Sequence, residues 1–134
     1  MSVFTKIVTG VFGKKSDRDI KILTPFIEEI NSAYSPLESL SEDELKLRFH
    51  SIRVAFQEES NRARQTYKSE GLDKKTLEEA VLQSNNDFLE ENMVEVFAII
   101  KDACRRIYGT EFTVMQQKMK WEMIPYDVQL IGSI

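Results

Sequence analysis

A chain of 134 residues with 18 Lys+Arg against 22 Asp+Glu carries a formal charge of −4 and falls in the size range of one domain. With 42% hydrophobic and 30% charged residues it is too apolar to be disordered, and only 5 Gly and 3 Pro favour long helices over many tight turns. The single Cys104 excludes a disulfide framework and a multi-cysteine metal site. No apolar run approaches the ~20 residues of a membrane-spanning helix, and the acidic balance argues against nucleic acid as a partner. These counts describe an intracellular, soluble, mostly helical protein and leave its function open.

Residues 1–15 form a short basic amphipathic segment. Val3, Phe4, Ile7, Val8, Val11 and Phe12 recur at helical spacing, and Lys6, Lys14 and Lys15 are the only charged side chains. Such a segment suits an anionic membrane surface or packing on its own domain, and the residues alone favour neither. It is no secretory signal, because Thr5, Lys6, Thr9 and Gly10 break the apolar run.

From Ser16 the helical period is strong. Ile20, Leu23, Ile27, Ile30 and Tyr34 draw one stripe. Pro25 either kinks this helix or opens a fresh one capped by Thr24, and Ser35-Pro36 ends it. Ser41 to Glu44 reads as a capping box for a helix that buries Leu45, Phe49, Ile52 and Phe56. Beyond Glu58 this helix runs into solvent or frays before Gly71.

A weaker helix is expected over 74–83, carrying Leu77 and Val81, with a break at Ser84-Asn85-Asn86. Asp87 and Glu90 then cap the most regular helix, whose stripe is Leu89, Met93, Val96, Ile100, Cys104 and Ile107, thickened by Phe97. Arg105 and Arg106 suit its last turn, and Gly109 stops it. After Gly109 the period becomes alternating. Phe112 and Val114, then Met119, Trp121 and Met123, predict a hairpin around Gln116-Gln117. The last stretch, from Ile124, reads as a connection with an apolar end.

Catalytic chemistry is sparse. His50 has no metal-ligand spacing around it and reads as a surface or boundary residue. Cys104 lies on an apolar stripe without a base beside it, so it reads as a small buried hydrophobe. The acidic pairs at 28–29, 58–59, 78–79 and 90–91 read as solvated faces, and the methionines as core residues. Gly10-Val-Phe-Gly13-Lys14-Lys15 has neither the spacing nor the hydroxyl of a phosphate-binding loop. No catalytic residue and no metal ligand is therefore assigned.

Four stretches, in order, resemble the N-terminal end of the SecA family, the ATP-driven motor of bacterial preprotein export. Phe12-Gly-Lys-Lys-Ser-Asp-Arg-Asp-Ile-Lys21 is similar to the family's Phe-Gly-x-Lys-x-Asp-Arg-x-Leu-Lys opening. Ile27-Glu-Glu-Ile-Asn31 and Leu40-Ser-Glu-Asp-Glu-Leu45 resemble its next helix and capping turn. Val96 to Gly109 is similar to the helix written Ala-Phe-Ala-Val-Val-Arg-Glu-Ala-x-x-Arg. The most specific stretch is Met123-Ile-Pro-Tyr-Asp-Val-Gln-Leu-Ile-Gly132, against Met-x-x-Phe/Tyr-Asp-Val-Gln-Leu-x-Gly.

The resemblance implies a mainly α segment with a short β-hairpin, leading into the first part of an α/β nucleotide-binding domain of helicase-like motor type. Residues 1–15 would be the amphipathic helix, 16–109 the helical segment, 110–123 a hairpin insertion, and 124–134 the start of the nucleotide-binding domain. It implies that Gln129 contacts the adenine of ATP, whose N6/N7 edge matches a carboxamide's donor and acceptor. It also implies that Phe4, Lys6, Ile7, Phe12, Lys14 and Lys15 attach the chain to anionic lipid and to a SecY-type channel, on the inner face of the cell membrane. Preproteins are the implied cargo, and a homodimer is an assembly the reading allows.

The family goes on to a Thr-Gly-Glu-Gly-Lys-Thr phosphate loop and an acidic Mg²⁺ box. Here Gly132 is followed by Ser133 and Ile134, so the sequence is expected to be a fragment that does not hydrolyse ATP alone. The rival reading is a stand-alone helical interaction module that binds no nucleotide.

Overall fold

A computed structural model describes the backbone of residues 3–131 and the side chains from Arg18 to Leu130, apart from those of residues 19 and 128. The architecture is mainly α with one short antiparallel hairpin, as the sequence predicts. The elements in order are α1 (Val3–Tyr34), a 3-10 turn (Ser35–Ser39), α2 (Glu42–Ser69), α3 (Lys74–Ile107), β1 (Glu111–Val114), β2 (Gln117–Lys120) and α4 (Asp127–Ile131).

Helix α1 runs unbroken through Pro25, so neither a new helix nor a Thr24 cap is present. The Thr24 hydroxyl instead donates to the Ile20 carbonyl at 2.7 Å. A proline inside a helix costs about 3 kcal/mol. Burial of Ile27 and Ile30 just beyond it, at 5% and 0% exposure, offsets that loss by holding the helix against α3. Ile20, at the open end of the stripe, is exposed.

The capping box forms as expected. The Glu44 N–H donates to the Ser41 hydroxyl, and the Ser41 N–H donates to the Glu44 carboxylate at 2.7 Å. From that start α2 continues for 28 residues, past the polar stretch, to Ser69. Gly71, at φ +77°, then turns the chain, and Asp73 caps α3 through the N–H groups of Lys75 and Thr76.

Helix α3 is one element of 34 residues, so the break expected at Ser84-Asn85-Asn86 does not occur. No Gly or Pro stands there, and three weak helix formers cost only about 0.5 kcal/mol each. Antiparallel packing on α2 supplies far more. Phe56 meets Phe88 edge-on at 5.7 Å, Arg64 grips Glu78 with two hydrogen bonds at 2.7 and 3.1 Å, and Arg48 reaches Glu95.

The face of α3 that the structure buries differs from the expected stripe. Ala98, Ile99 and Asp102 are enclosed, whereas Leu89, Ile100 and Ile107 are exposed. At this level α3 lies between α1 and α2, and contact from two sides covers a face rotated from the single stripe. Cys104 is buried as expected, and burial pushes its thiol pKa up. Higher along the α2–α3 hairpin an apolar cleft of about 870 Å³ opens beside Phe26, lined by Phe49, Phe56, Phe88, Met93 and Val96.

Gly109 ends α3 at φ +83°, and its N–H donates to Trp121 O at 2.8 Å. The hairpin registers Phe112 opposite Met119 and Val114 opposite Gln117. The two-residue turn is therefore Met115-Gln116, both at positive φ, one residue earlier than expected. Met115 is 94% exposed, and Met119 and Met123 are also exposed, so those three are not core residues. His50 and most members of the acidic pairs lie on the surface, in line with the sequence.

Candidate functional site

After the hairpin, residues 121–126 run without regular structure to α4, and the Trp121 indole N–H donates to Met123 O at 2.7 Å on the way. Helix α4 has only five residues, too few to stand alone in water. What holds it is tertiary. Leu130, 2% exposed, enters the core cluster of Ile27, Ile30, Leu37, Leu45, Ala98 and Ile99. Its neighbour Gln129 consequently faces outward and is exposed.

The Gln129 side chain folds back over the start of α4, where its Oε1 accepts the Tyr126 N–H at 2.8 Å. The Gln129 and Leu130 N–H groups donate to Tyr126 O at 2.9 and 3.0 Å. The Gln129 amide is thus exposed and oriented from behind by the backbone.

Asp127 opens α4 and is tied to the helices beneath it. Its Oδ1 accepts from Asn31 Nδ2 of α1 at 3.2 Å and lies 3.9 Å from the Lys101 ammonium of α3. Lys101 donates to Asn31 Oδ1 at 2.6 Å and stands 5.1 Å from the centre of the Tyr34 ring. The lysine side chain is only 15% exposed. Burial, then the neighbouring Glu38, raises the Tyr34 phenol pKa above its ordinary value.

A second polar knot begins at the next residue of α3. Asp102, fully enclosed, pairs with Arg105 at 2.8 Å and Arg106 at 2.6 Å. Arg106 also donates to the carbonyls of Leu37 and Leu40, at 3.0 and 2.6 Å, pinning the turn between α1 and α2. The two arginines thus do more than meet the helix dipole. The i+3 and i+4 spacing from Asp102 was the available signal for this pairing.

Lys101 and Asn31 escaped the sequence reading. The only trace was a lysine beside the apolar run of α3, since Asn31 lies 70 residues from Lys101 and 96 residues from Asp127 in the chain. The side chains of Phe4, Lys6, Ile7, Phe12, Lys14 and Lys15 lie outside the described residues. Among the described residues, no group of three or more His, Cys, Asp or Glu could hold a metal ion, and no helix is long and apolar enough to cross a membrane.

Comparison with known proteins places residues 8–134 on the SecA DEAD-like domain. A protein translocase subunit SecA from Prosthecochloris aestuarii is 39% identical over 96% of this chain. Proteins of the same name from Chlorobium phaeobacteroides and Chlorobaculum tepidum are 37% and 30% identical over 96% of the chain. The chain spans 14% of the length of each of these relatives. No solved structure matches.

Proposed function

This chain belongs to the SecA DEAD-like domain family, and we propose that it is the N-terminal part of an ATP-driven motor that moves preproteins through a SecY-type channel. In this reading residues 1–15 attach the motor to anionic lipid and to the channel on the inner face of the membrane. Phe4, Ile7 and Phe12 enter the interface, and Lys6, Lys14 and Lys15 meet the headgroups. Gln129 reads the adenine of ATP. These 134 residues include no phosphate loop, so the triphosphate and its Mg²⁺ are assigned to other parts of the parent protein. A homodimer belongs to the same reading.

The observation that carries the proposal is the pairing of Leu130 and Gln129. One is locked in the core, and its neighbour is presented to solvent with its amide oriented by Tyr126. A bidentate amide–adenine contact discriminates bases by about 1–3 kcal/mol. Adenosine and guanosine titrated into the full chain and followed by NMR test this directly. Adenosine should perturb the Gln129 side-chain signals, and Gln129→Ala should weaken adenosine by about thirtyfold, the middle of that range, while leaving guanosine unchanged. Adenosine binding indifferent to that substitution would refute the base-reading role and favour the interaction-module reading.

Attachment is tested separately with vesicles of phosphatidylglycerol and of phosphatidylcholine. Each lysine near an anionic surface contributes about 1 kcal/mol, so Lys6→Gln, Lys14→Gln and Lys15→Gln together should lower anionic-vesicle binding about a hundredfold. Equal binding of the two vesicle types would remove that role from the segment.

A further inference from the structure

Lys101 is an expensive residue to place where it stands. Its side chain is 15% exposed, on the stretch of α3 that contributes Ala98, Ile99 and Asp102 to the interior. A desolvated ammonium is tolerated only when other groups replace its water. Here those groups are the Asn31 carboxamide oxygen, the Asp127 carboxylate and the face of the Tyr34 ring. Asn31 uses both ends of its amide, accepting from Lys101 and donating to Asp127, which leaves its orientation no freedom. The network therefore links α3 to α1 and ends on α4.

That end point carries the argument. Leu130 alone would be a pivot about which so short a helix could turn. Asp127 lies three residues earlier on the same helical face, and a second anchor there fixes rotation about the axis. With both held, the direction of Gln129 is determined. We propose that Lys101, acting through Asn31 and Asp127, is a positioning residue for Gln129, so that discrimination between purine bases depends on it. This inference rests on the base-reading role proposed above for Gln129.

The test uses the full chain with Lys101→Met, which keeps the aliphatic stem, and Lys101→Arg, which keeps the charge. Two readouts are taken on each: hydrogen exchange at the Gln129 and Leu130 amides, and the ratio of adenosine to guanosine binding by NMR. Lys101→Met should raise α4 exchange at least tenfold, leave the amides of residues 77–98 protected, and bring the base ratio at least threefold closer to one. Lys101→Arg should stay within twofold of the parent on both. Should Lys101→Met disturb the whole chain, Asp127→Ala, at a side chain 60% exposed, must reproduce the α4 effects alone.

Unchanged α4 exchange in Lys101→Met and Asp127→Ala overturns the inference. So does faster exchange with an unaltered base ratio, since a purely structural lysine would behave that way. A base ratio insensitive to Gln129→Ala identifies failure of the base-reading role instead, and withdraws this inference along with it.

Discussion

Asp102 gives the sharpest test of what holds the helices together. Its carboxylate is at 0% exposure, and its two partners, Arg105 and Arg106, are 34% and 19% exposed. Removing one partner of a buried pair costs about 3–5 kcal/mol, because the remaining charge is stranded. Arg105 can recover water, which lowers the expectation for Asp102→Asn to about 2–4 kcal/mol. Arg106 has less recourse, since it is only 19% exposed and its Nη2 is committed to the carbonyls of Leu37 and Leu40.

Urea unfolding followed by far-ultraviolet circular dichroism reads this cleanly in a helical chain. With a urea slope of about 1–3 kcal/mol/M, the midpoint should fall by roughly 1–2 M. The double variant Asp102→Leu with Arg106→Leu should cost less than the sum of its single variants, with a coupling of about 0.5–3 kcal/mol. A loss below about 0.5 kcal/mol for Asp102→Asn, or strict additivity in the double variant, would mean that the buried carboxylate and its arginines do not hold the helices together.

Met115→Asn with Gln116→Gly should stabilise the hairpin by about 1 kcal/mol, because two residues without a glycine's freedom now occupy positive φ. A higher melting temperature of the Trp121 emission would show it, and an unchanged one would count against the turn assignment. Acid should destabilise the fold. Glu44 is held below the usual carboxylate range by the Ser41 N–H and hydroxyl, Glu78 by Arg64, and Asp73 by the Thr76 hydroxyl and N–H. Their folded pKa values lie below the unfolded ones, so the unfolded chain takes up more protons as pH falls. Melting temperature should be level above about pH 5 and fall below about pH 4, and Glu44→Gln should flatten that fall. Cys104 should react with a thiol-specific disulfide reagent only as fast as the chain opens, so its rate should rise with added urea; rapid reaction in native buffer would contradict its burial.

Local chemistry was legible wherever a few neighbouring residues decide the outcome. Ser41 and Glu44 close a capping box whatever lies around them, Gly109 takes a conformation that other residues resist, and alternation after Gly109 announces a hairpin. The sequence points to a turn one residue too late because Met115 and Gln116 lack the usual signature of positive φ. Continuity of α1 through Pro25 and of α3 through Ser84-Asn85-Asn86 was decided by packing, which outweighs local penalties of a few kcal/mol.

The same holds for the candidate site. Its motif, from Tyr126 to Leu130, stands in the sequence, and the inward or outward sense of Gln129 does not. A five-residue helix has no orientation of its own. Leu130 in the core, and Asp127 held by Asn31 and Lys101 from two other helices, supply that orientation only once the chain has folded.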